Sequence, residues 1–338
     1  MRVLILGANG MIGAKLAASL AAKGRVAGRA ITALNLVDLT APTAPEAGPP
    51  STCRATDITA EGTAETLIAD RPDVIFHLAA MVSGAAEQDF EGGYRVNVDA
   101  SRALFEAIRT AHQADGYTPR LVFASSLAVF GAPLPDPVPD SQIRTPQSSY
   151  GMQKAIVELL LDDYTRRGFF DGIGLRLPTI VIRPGAPNAA ASGFFSGILR
   201  EPLAGLPSTL PVSRDVKHWL ASPRAAVGFL IHAAGLDGAA IGAHRTMTMP
   251  GVATSVGGQI DALERVAGKA ASALITEAPD PAIAAIINTW PKAFDPARAL
   301  ALGFTAETSV DELIAVYLED DAPKDAQSWD AQSWDAQS

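Results

Sequence analysis

An apolar run, Val3-Leu4-Ile5-Leu6, passes directly into Gly7-Ala8-Asn9-Gly10-Met11-Ile12-Gly13, and this junction restricts the fold more than any other stretch. The run has the length and content of a strand buried in a parallel sheet. The Ala- and Leu-rich segment that follows, Ala14 to Leu20, reads as helix. A glycine-rich turn between strand and helix sets backbone N–H groups and the positive helix end against a pyrophosphate, with Gly7 and Gly10 beside it. Glycine-rich turns are common, so the motif gains its meaning from two later features.

The first is Asp38, which ends a second apolar run, Ile31 to Val37. It lies about 25 positions past the loop, near the spacing of the carboxylate that bonds an adenosine ribose. A carboxylate there accepts from both ribose hydroxyls and repels a 2′-phosphate, so the expected cofactor is NAD rather than NADP. The plainer alternative makes Asp38 a turn residue at a strand end.

The second is Tyr150-Gly151-Met152-Gln153-Lys154. A phenol and an ammonium four apart share one face of a helix. The ammonium stabilises the phenolate and lowers a pKa of roughly 10 toward neutrality. Tyr150 can then take a proton from a substrate hydroxyl while hydride leaves the same carbon. Alone, such a pair is also an ordinary surface arrangement. Upstream, Leu121-Val122-Phe123-Ala124 runs into Ser125 and Ser126, and a hydroxyl at the end of a strand can orient a substrate oxygen.

Between Met1 and about Thr165, strand-like runs (2–6, 31–37, 73–79, 119–125) alternate with helical ones (12–23, 61–70, 92–114, 148–167), which predicts a parallel sheet covered on both faces. Ala41–Pro50, with four prolines, is a surface excursion. The run 73–80 ends in small residues that let the backbone approach a cofactor. The expected division is a dinucleotide-binding domain over 1–170 with a strand at 172–182 returning to its sheet, then a mainly substrate-binding lobe over 183–320. That lobe is expected over the carboxyl ends of the strands, with helices at 222–236, 255–268, 280–289, 295–302 and 309–319. From Ala326 onward the chain repeats a five-residue unit without a core pattern, and 321–338 read as a disordered tail.

Composition narrows the function. With 48% hydrophobic and 19% charged residues the chain has ample material for a core, and no run reaches the length of a membrane span. The apolar start is too short for a signal peptide. A single cysteine, Cys53, forms no internal disulfide and suits a reducing, cytoplasmic setting. A net charge of −9 without a basic cluster argues against nucleic acid as partner. The five histidines are scattered, and no metal site is expected.

The segments GANGMIG, HLAA, SS-x-x-VFG and YGMQK together resemble the extended short-chain dehydrogenase/reductase family. The resemblance implies an α/β fold, a Rossmann doubly wound parallel sheet with a smaller C-terminal α/β substrate lobe. It implies a Ser-Tyr-Lys triad of Ser126, Tyr150 and Lys154, with Ser125 the neighbour nearer the cofactor. Leu6 stands where the family usually has Thr, which alters local hydrogen bonding only. Residue by residue, Asn9, Met11 and Ile12 would line the pyrophosphate, Asp57 and Ile58 the adenine, and Leu78, Ala79 and Ala80 the length of the cofactor. Asn97 would stand behind them, unless it is an ordinary cap. Tyr150 and Lys154 would reach the nicotinamide ribose, with Pro178 and Ile180 at the carboxamide. A homodimer through 92–114 and 148–167 is also implied.

Further segments, including Phe130–Asp140, Arg183-Pro184-Gly185, Pro187–Ser192 and His218–Pro223, resemble members of the family that oxidise the C2 hydroxyl of a four-carbon sugar acid such as D-erythronate to a 2-oxo acid. The same family contains nucleotide-sugar 4-epimerases that retain NAD through the cycle. A small hydroxy acid needs a cation for its carboxylate, and Arg183, Lys217 and His218 are the candidates. Ser83, Asn188, Ser192, Ser126 and Tyr150 are candidates for its hydroxyls, and Trp219 for a pocket wall. Arg183 could equally be a structural ion pair and His218 a buried, hydrogen-bonded histidine.

Overall fold

A seven-stranded, wholly parallel sheet draws its strands from residues 2–177 and, far along the chain, 246–248. In chain order its strands are β1 (Arg2–Leu6), β2 (Ala33–Asp38), β3 (Ser51–Ala55), β4 (Val74–His77), β5 (Arg120–Ser126), β6 (Asp171–Leu177) and β7 (Thr246–Thr248). They are ordered β3-β2-β1-β4-β5-β6-β7 across the sheet. The order reverses between β1 and β4, the point at which open sheets of this kind bind nucleotides. Val3, Leu4, Ile5 and Leu6 are all buried although they alternate between faces, because helices cover both sides. The computed structural model describes residues 1–185 and 192–323.

Helix α1 (Met11–Lys23) lies against β1 and β2. On the other face, α2 (Thr63–Ala69), α3 (Ala100–Asp115) and α4 (Ser149–Arg166) close a core that includes Leu4, Leu6, Ile75, Phe105, Phe123 and Leu161. The segment expected as one helix over 92–114 is broken. A short helix at Phe90–Tyr94 passes through a π-turn, Arg95–Asp99, into α3. Single π-turns inside helices recur at functional positions, and Asn97 lies within this one.

The chain divides into two compact units, and the boundary differs from the expected 170/183 division. The first unit comprises 1–178, 224–250 and 294–305, so two segments assigned by sequence to the substrate lobe return to the dinucleotide-binding unit. The cause is β7, which pairs in parallel with β6 through Thr246↔Gly174, Met247↔Leu175 and Thr248↔Arg176. Among the described residues the second unit comprises 179–185, 192–223, 251–293 and 306–323. It contains a three-stranded sheet of Thr179–Ile180, Lys217–Ala221 and Val252–Ser255, with helices Gly193–Leu203, Val256–Ala267 and Val310–Asp320. Phe195, Leu199, Leu220, Leu263 and Leu313 are buried together in its core. The tail expected from 321 falls outside the described residues from 324 onward, as does Asn188. No helix among the described residues is long and apolar enough to cross a membrane.

Candidate active site

The glycine loop folds onto the ends of β2 and β4. The N–H groups of Gly7 and Ala8 donate to the carbonyl of Val37 at 2.9 and 3.1 Å. A Cβ on Gly7 would stand 2.6 Å from the amide nitrogen of Ala79, so the loop touches the chain leaving β4. A Cβ on Gly13 would stand 2.0 Å from the carbonyl oxygen of Gly7, closer than any side chain permits. These contacts draw α1 onto the loop. Gly10 is its N-cap without a side-chain cap bond, and Met11 and Ile12 lie in the first turn, whose N–H groups lack intrahelical acceptors. A helix N-terminus held this close to a glycine loop, with no side chain capping its first-turn N–H groups, fits a pyrophosphate.

Asp38 stands at the carboxyl end of β2, and its carboxylate accepts from the N–H of Asn9 at 2.8 Å and of Leu39 at 2.7 Å. The Asn9 side chain donates to Thr40 at 2.8 Å. An ionised carboxylate offers about four acceptor positions, so ribose hydroxyls can join these bonds. Asp57 and Ile58 follow β3. Hydrogen bonds from the N–H and hydroxyl of Thr59, both 2.8 Å, hold the Asp57 carboxyl below its ordinary range.

Leu78, Ala79 and Ala80 extend β4 as half-buried backbone, with the N–H of Leu78 bound to Leu6 at 2.9 Å. Ser83 opens the short helix Ser83–Gln88 just beyond. Asn97 is buried and acts on this segment from behind: Oδ1 accepts from the N–H of Met81 at 2.8 Å, and Nδ2 donates to its carbonyl at 3.0 Å. Nδ2 also donates to Gln153 Oε1 at 2.7 Å. Gln153 lies inside the Tyr-x-x-x-Lys motif, yet sequence reasoning passed over it. Its position between two candidate catalytic residues was the available signal. His77 is structural: it is fully buried, bonds Ser101 at 2.8 Å, and burial pushes its pKa down to about 3.

Ser148 caps α4 by accepting from the N–H of Gly151 at 3.1 Å, which places Tyr150 in the first turn. A Cβ on Gly151 would lie 2.1 Å from the carbonyl of Ala128. The start of α4 therefore rests against the turn Leu127–Val129 that follows Ser126. Ser126 Oγ accepts from the N–H of Ala128 at 3.2 Å. Lys154 is buried, donates to the carbonyl of Ala124 at 2.8 Å, and lies 5.6 Å from the Tyr150 ring centroid. Burial is the main influence on its pKa and lowers it to about 7, against a smaller opposing effect of Glu158. Ser125, expected as the neighbour nearer the cofactor, donates its hydroxyl to Glu158 at 2.6 Å.

Pro178 ends the first segment of the first unit, and Ile180 pairs with Ala221 within the second. Among the candidates for the acid, Arg183 and Ser192 engage each other at 3.0 Å, and Arg183 Nε donates to the carbonyl of Ile180 at 2.9 Å. Lys217 is exposed at the start of its strand, and Trp219 is buried. His218 is corrected as a cation. Its Nε2 bonds Thr179 at 2.6 Å, its Nδ1 faces the carbonyl of Pro291 at 3.3 Å, and its ring stacks on Phe195 at 4.9 Å. Burial holds its pKa near 4, so it is neutral at pH 7. Among the described residues no three His, Cys, Asp or Glu side chains form a metal-binding group.

Residues 3–219 match the model of the NAD dependent epimerase/dehydratase family. The chain is 46% identical over 328 residues to a D-erythronate dehydrogenase of Cupriavidus necator, covering 95% of this chain and 98% of that one. It is 41% identical over 321 residues to a D-erythronate dehydrogenase of Haemophilus influenzae, covering 95% and 100%. Its fold superposes with a TM-score of 0.93 on a crystal structure described as a nucleoside-diphosphate-sugar epimerase of Agrobacterium tumefaciens, at 55% identity over 95% of this chain and 94% of that one.

Proposed function

Since the chain belongs to the NAD dependent epimerase/dehydratase family and is an NAD-dependent dehydrogenase, we propose that it oxidises the C2 hydroxyl of a small sugar acid, D-erythronate, to the 2-oxo acid. The observation that carries this reading is the pairing of a dinucleotide cradle with Tyr150 and buried Lys154 on one helix, in a chain alike over nearly its whole length to two D-erythronate dehydrogenases. NAD, when bound, accepts the hydride.

The chain's own residues manage the proton and the alignment. Lys154, held against Ala124 and below the Tyr150 ring, favours the phenolate and so makes Tyr150 a base near neutral pH. Ser126 orients the reacting hydroxyl. Gly7, Gly10, Met11 and Ile12 hold the pyrophosphate, and Asn97 fixes the backbone after β4. The carboxylate of Asp38 favours NAD over NADP because a 2′-phosphate would stand against a like charge. With His218 neutral, Arg183 and Lys217 are the candidate cations for the acid.

A homodimer is part of the proposal. Met152 and Leu159, seven apart on α4, expose 42% and 55% of their surface and suit an apolar seam between two copies. Light scattering on the purified protein reads this directly, a dimer mass supporting it and a monomer mass refuting it.

A second reading, a nucleotide-sugar 4-epimerase, is favoured by the description of the Agrobacterium relative. A screen of three- to six-carbon aldonic acids for NAD reduction, with UDP as competitor, separates the two. Free NADH from D-erythronate, insensitive to UDP, supports the dehydrogenase. No NADH from any acid, with UDP binding tightly, supports the epimerase.

A further inference from the structure

Behind Lys154 lies a buried charged cluster that the catalytic reading leaves unused. Glu158, one helical turn further along α4, is completely buried. Its carboxylate accepts from Ser125 Oγ at 2.6 Å, from Arg176 Nε and Nη2 at 3.0 and 2.8 Å, and from Arg144 Nη1 at 2.8 Å. Arg176, also buried, belongs to β6 and forms a 3.5 Å ion pair with Asp140. Asp140 in turn receives Arg298 at 2.9 Å. The carboxylate thus joins α4 to the neighbouring strands β5 and β6.

Its bond to Ser125 has a particular consequence. Lys154 binds the carbonyl of Ala124, and Glu158 binds the hydroxyl of Ser125, so two successive residues of β5 are held by two successive turns of α4. The next residue is Ser126. Side chains of successive strand residues alternate, so the tether at Ser125 reaches Ser126 through the backbone they share and not through side-chain contact. The carboxylate is over-determined by two guanidinium groups, which leaves it a fixed acceptor for the serine.

We propose that Ser125 and Glu158 form a positioning pair that locks the end of β5 to α4 and so sets the alignment of Ser126 with Tyr150 and Lys154. The proposal rests on the triad reading above. On it, Ser125 acts through Glu158 and is not a cofactor contact. Misplacement of catalytic groups by about 1 Å can cost about 10²-fold in rate, so a lost tether should be visible in turnover.

The test compares wild type, Ser125→Ala, Ser125→Thr and Glu158→Gln by NAD titration, steady-state kinetics with the acid that yields NADH, and the primary isotope effect of the C2-deuterated acid. Ser125→Ala should lower kcat about tenfold or more, with KM for the acid and Kd for NAD within about twofold, and raise the isotope effect. Ser125→Thr keeps the hydroxyl and should recover most of the loss. Glu158→Gln should behave as Ser125→Ala if it folds, and if it does not, the two Ser125 variants decide. A Kd for NAD weakened about tenfold with kcat unchanged at saturating NAD would make Ser125 a cofactor contact and overturn the proposal. A kcat for Ser125→Ala within about threefold of wild type would overturn it too. Failure of the triad reading itself shows separately, as activity surviving Tyr150→Phe and Ser126→Ala.

Discussion

Lys154→Met should make the NAD-free protein more stable and nearly inactive. The lysine is 3% exposed and its pKa falls from 10.5 to about 7 through burial. At about 1.4 kcal/mol for each tenfold in proton affinity, keeping it charged at pH 7 costs the fold about 5 kcal/mol. Against this stand its bond to the Ala124 carbonyl, about 1–3 kcal/mol, and its place over the Phe123 ring, about 0.5–1 kcal/mol. The balance favours methionine by about 1–3 kcal/mol, or several degrees in Tm. The sign with pH follows from proton linkage. Between pH 7 and 10.5 the unfolded chain binds a proton that the folded chain does not, so raising the pH stabilises the wild type. The advantage of methionine is therefore full at pH 7 and below and shrinks toward pH 10.5. Calorimetry of both proteins between pH 6.5 and about 9.5, with NADH formation followed in parallel, makes the comparison. A lower Tm for the variant at pH 7, or a gap that does not change with pH, would refute the reasoning. Activity should fall about 10²–10⁴-fold because Tyr150 loses the charge that makes it a base.

Gly13→Ala should abolish NAD binding, since its Cβ would stand 2.0 Å from the Gly7 carbonyl and force α1 off the loop; an unchanged Kd by titration would mean the loop does not hold the cofactor. Asp38→Ser should relax discrimination against NADP by about tenfold or more, measured as the ratio of kcat/KM values, and a wild type that already uses both cofactors equally would contradict the ribose argument. His218→Ala should cost about 1–3 kcal/mol of stability in urea unfolding while KM for the acid moves less than about threefold. A KM raised about tenfold or more would restore His218 as a substrate contact.

The parts legible in the sequence are those whose signal is local. The strand and glycine loop at 2–13, Asp38 at the end of β2, and Tyr150 with Lys154 four apart on α4 all lie within short stretches that carry their own pattern. The helices 12–23 and 148–167 were legible to within a residue at each end for the same reason. What escaped depends on partners far along the chain. β7 is only Thr246-Met247-Thr248, too short for any periodicity, and exists because β6 offers an open edge. The bond from Ser125 to Glu158, 33 residues on, carries no local signal at either position. His218 reads as a possible cation until Thr179, Phe195 and Pro291 enclose it. The π-turn at Arg95–Asp99 is likewise absent from the helical pattern, although it lets Asn97 hold Met81.

The central claim, oxidation of a sugar acid at C2, is tested most directly by following the C2 hydrogen itself. D-erythronate deuterated at C2 is incubated with the enzyme and excess NAD, and the products are analysed by mass spectrometry. One deuterium is expected in the released reduced cofactor for each 2-oxo acid formed, with Tyr150→Phe slowing both equally. Deuterium left in the sugar acid, with no free reduced cofactor and with turnover of a UDP-sugar instead, would contradict it.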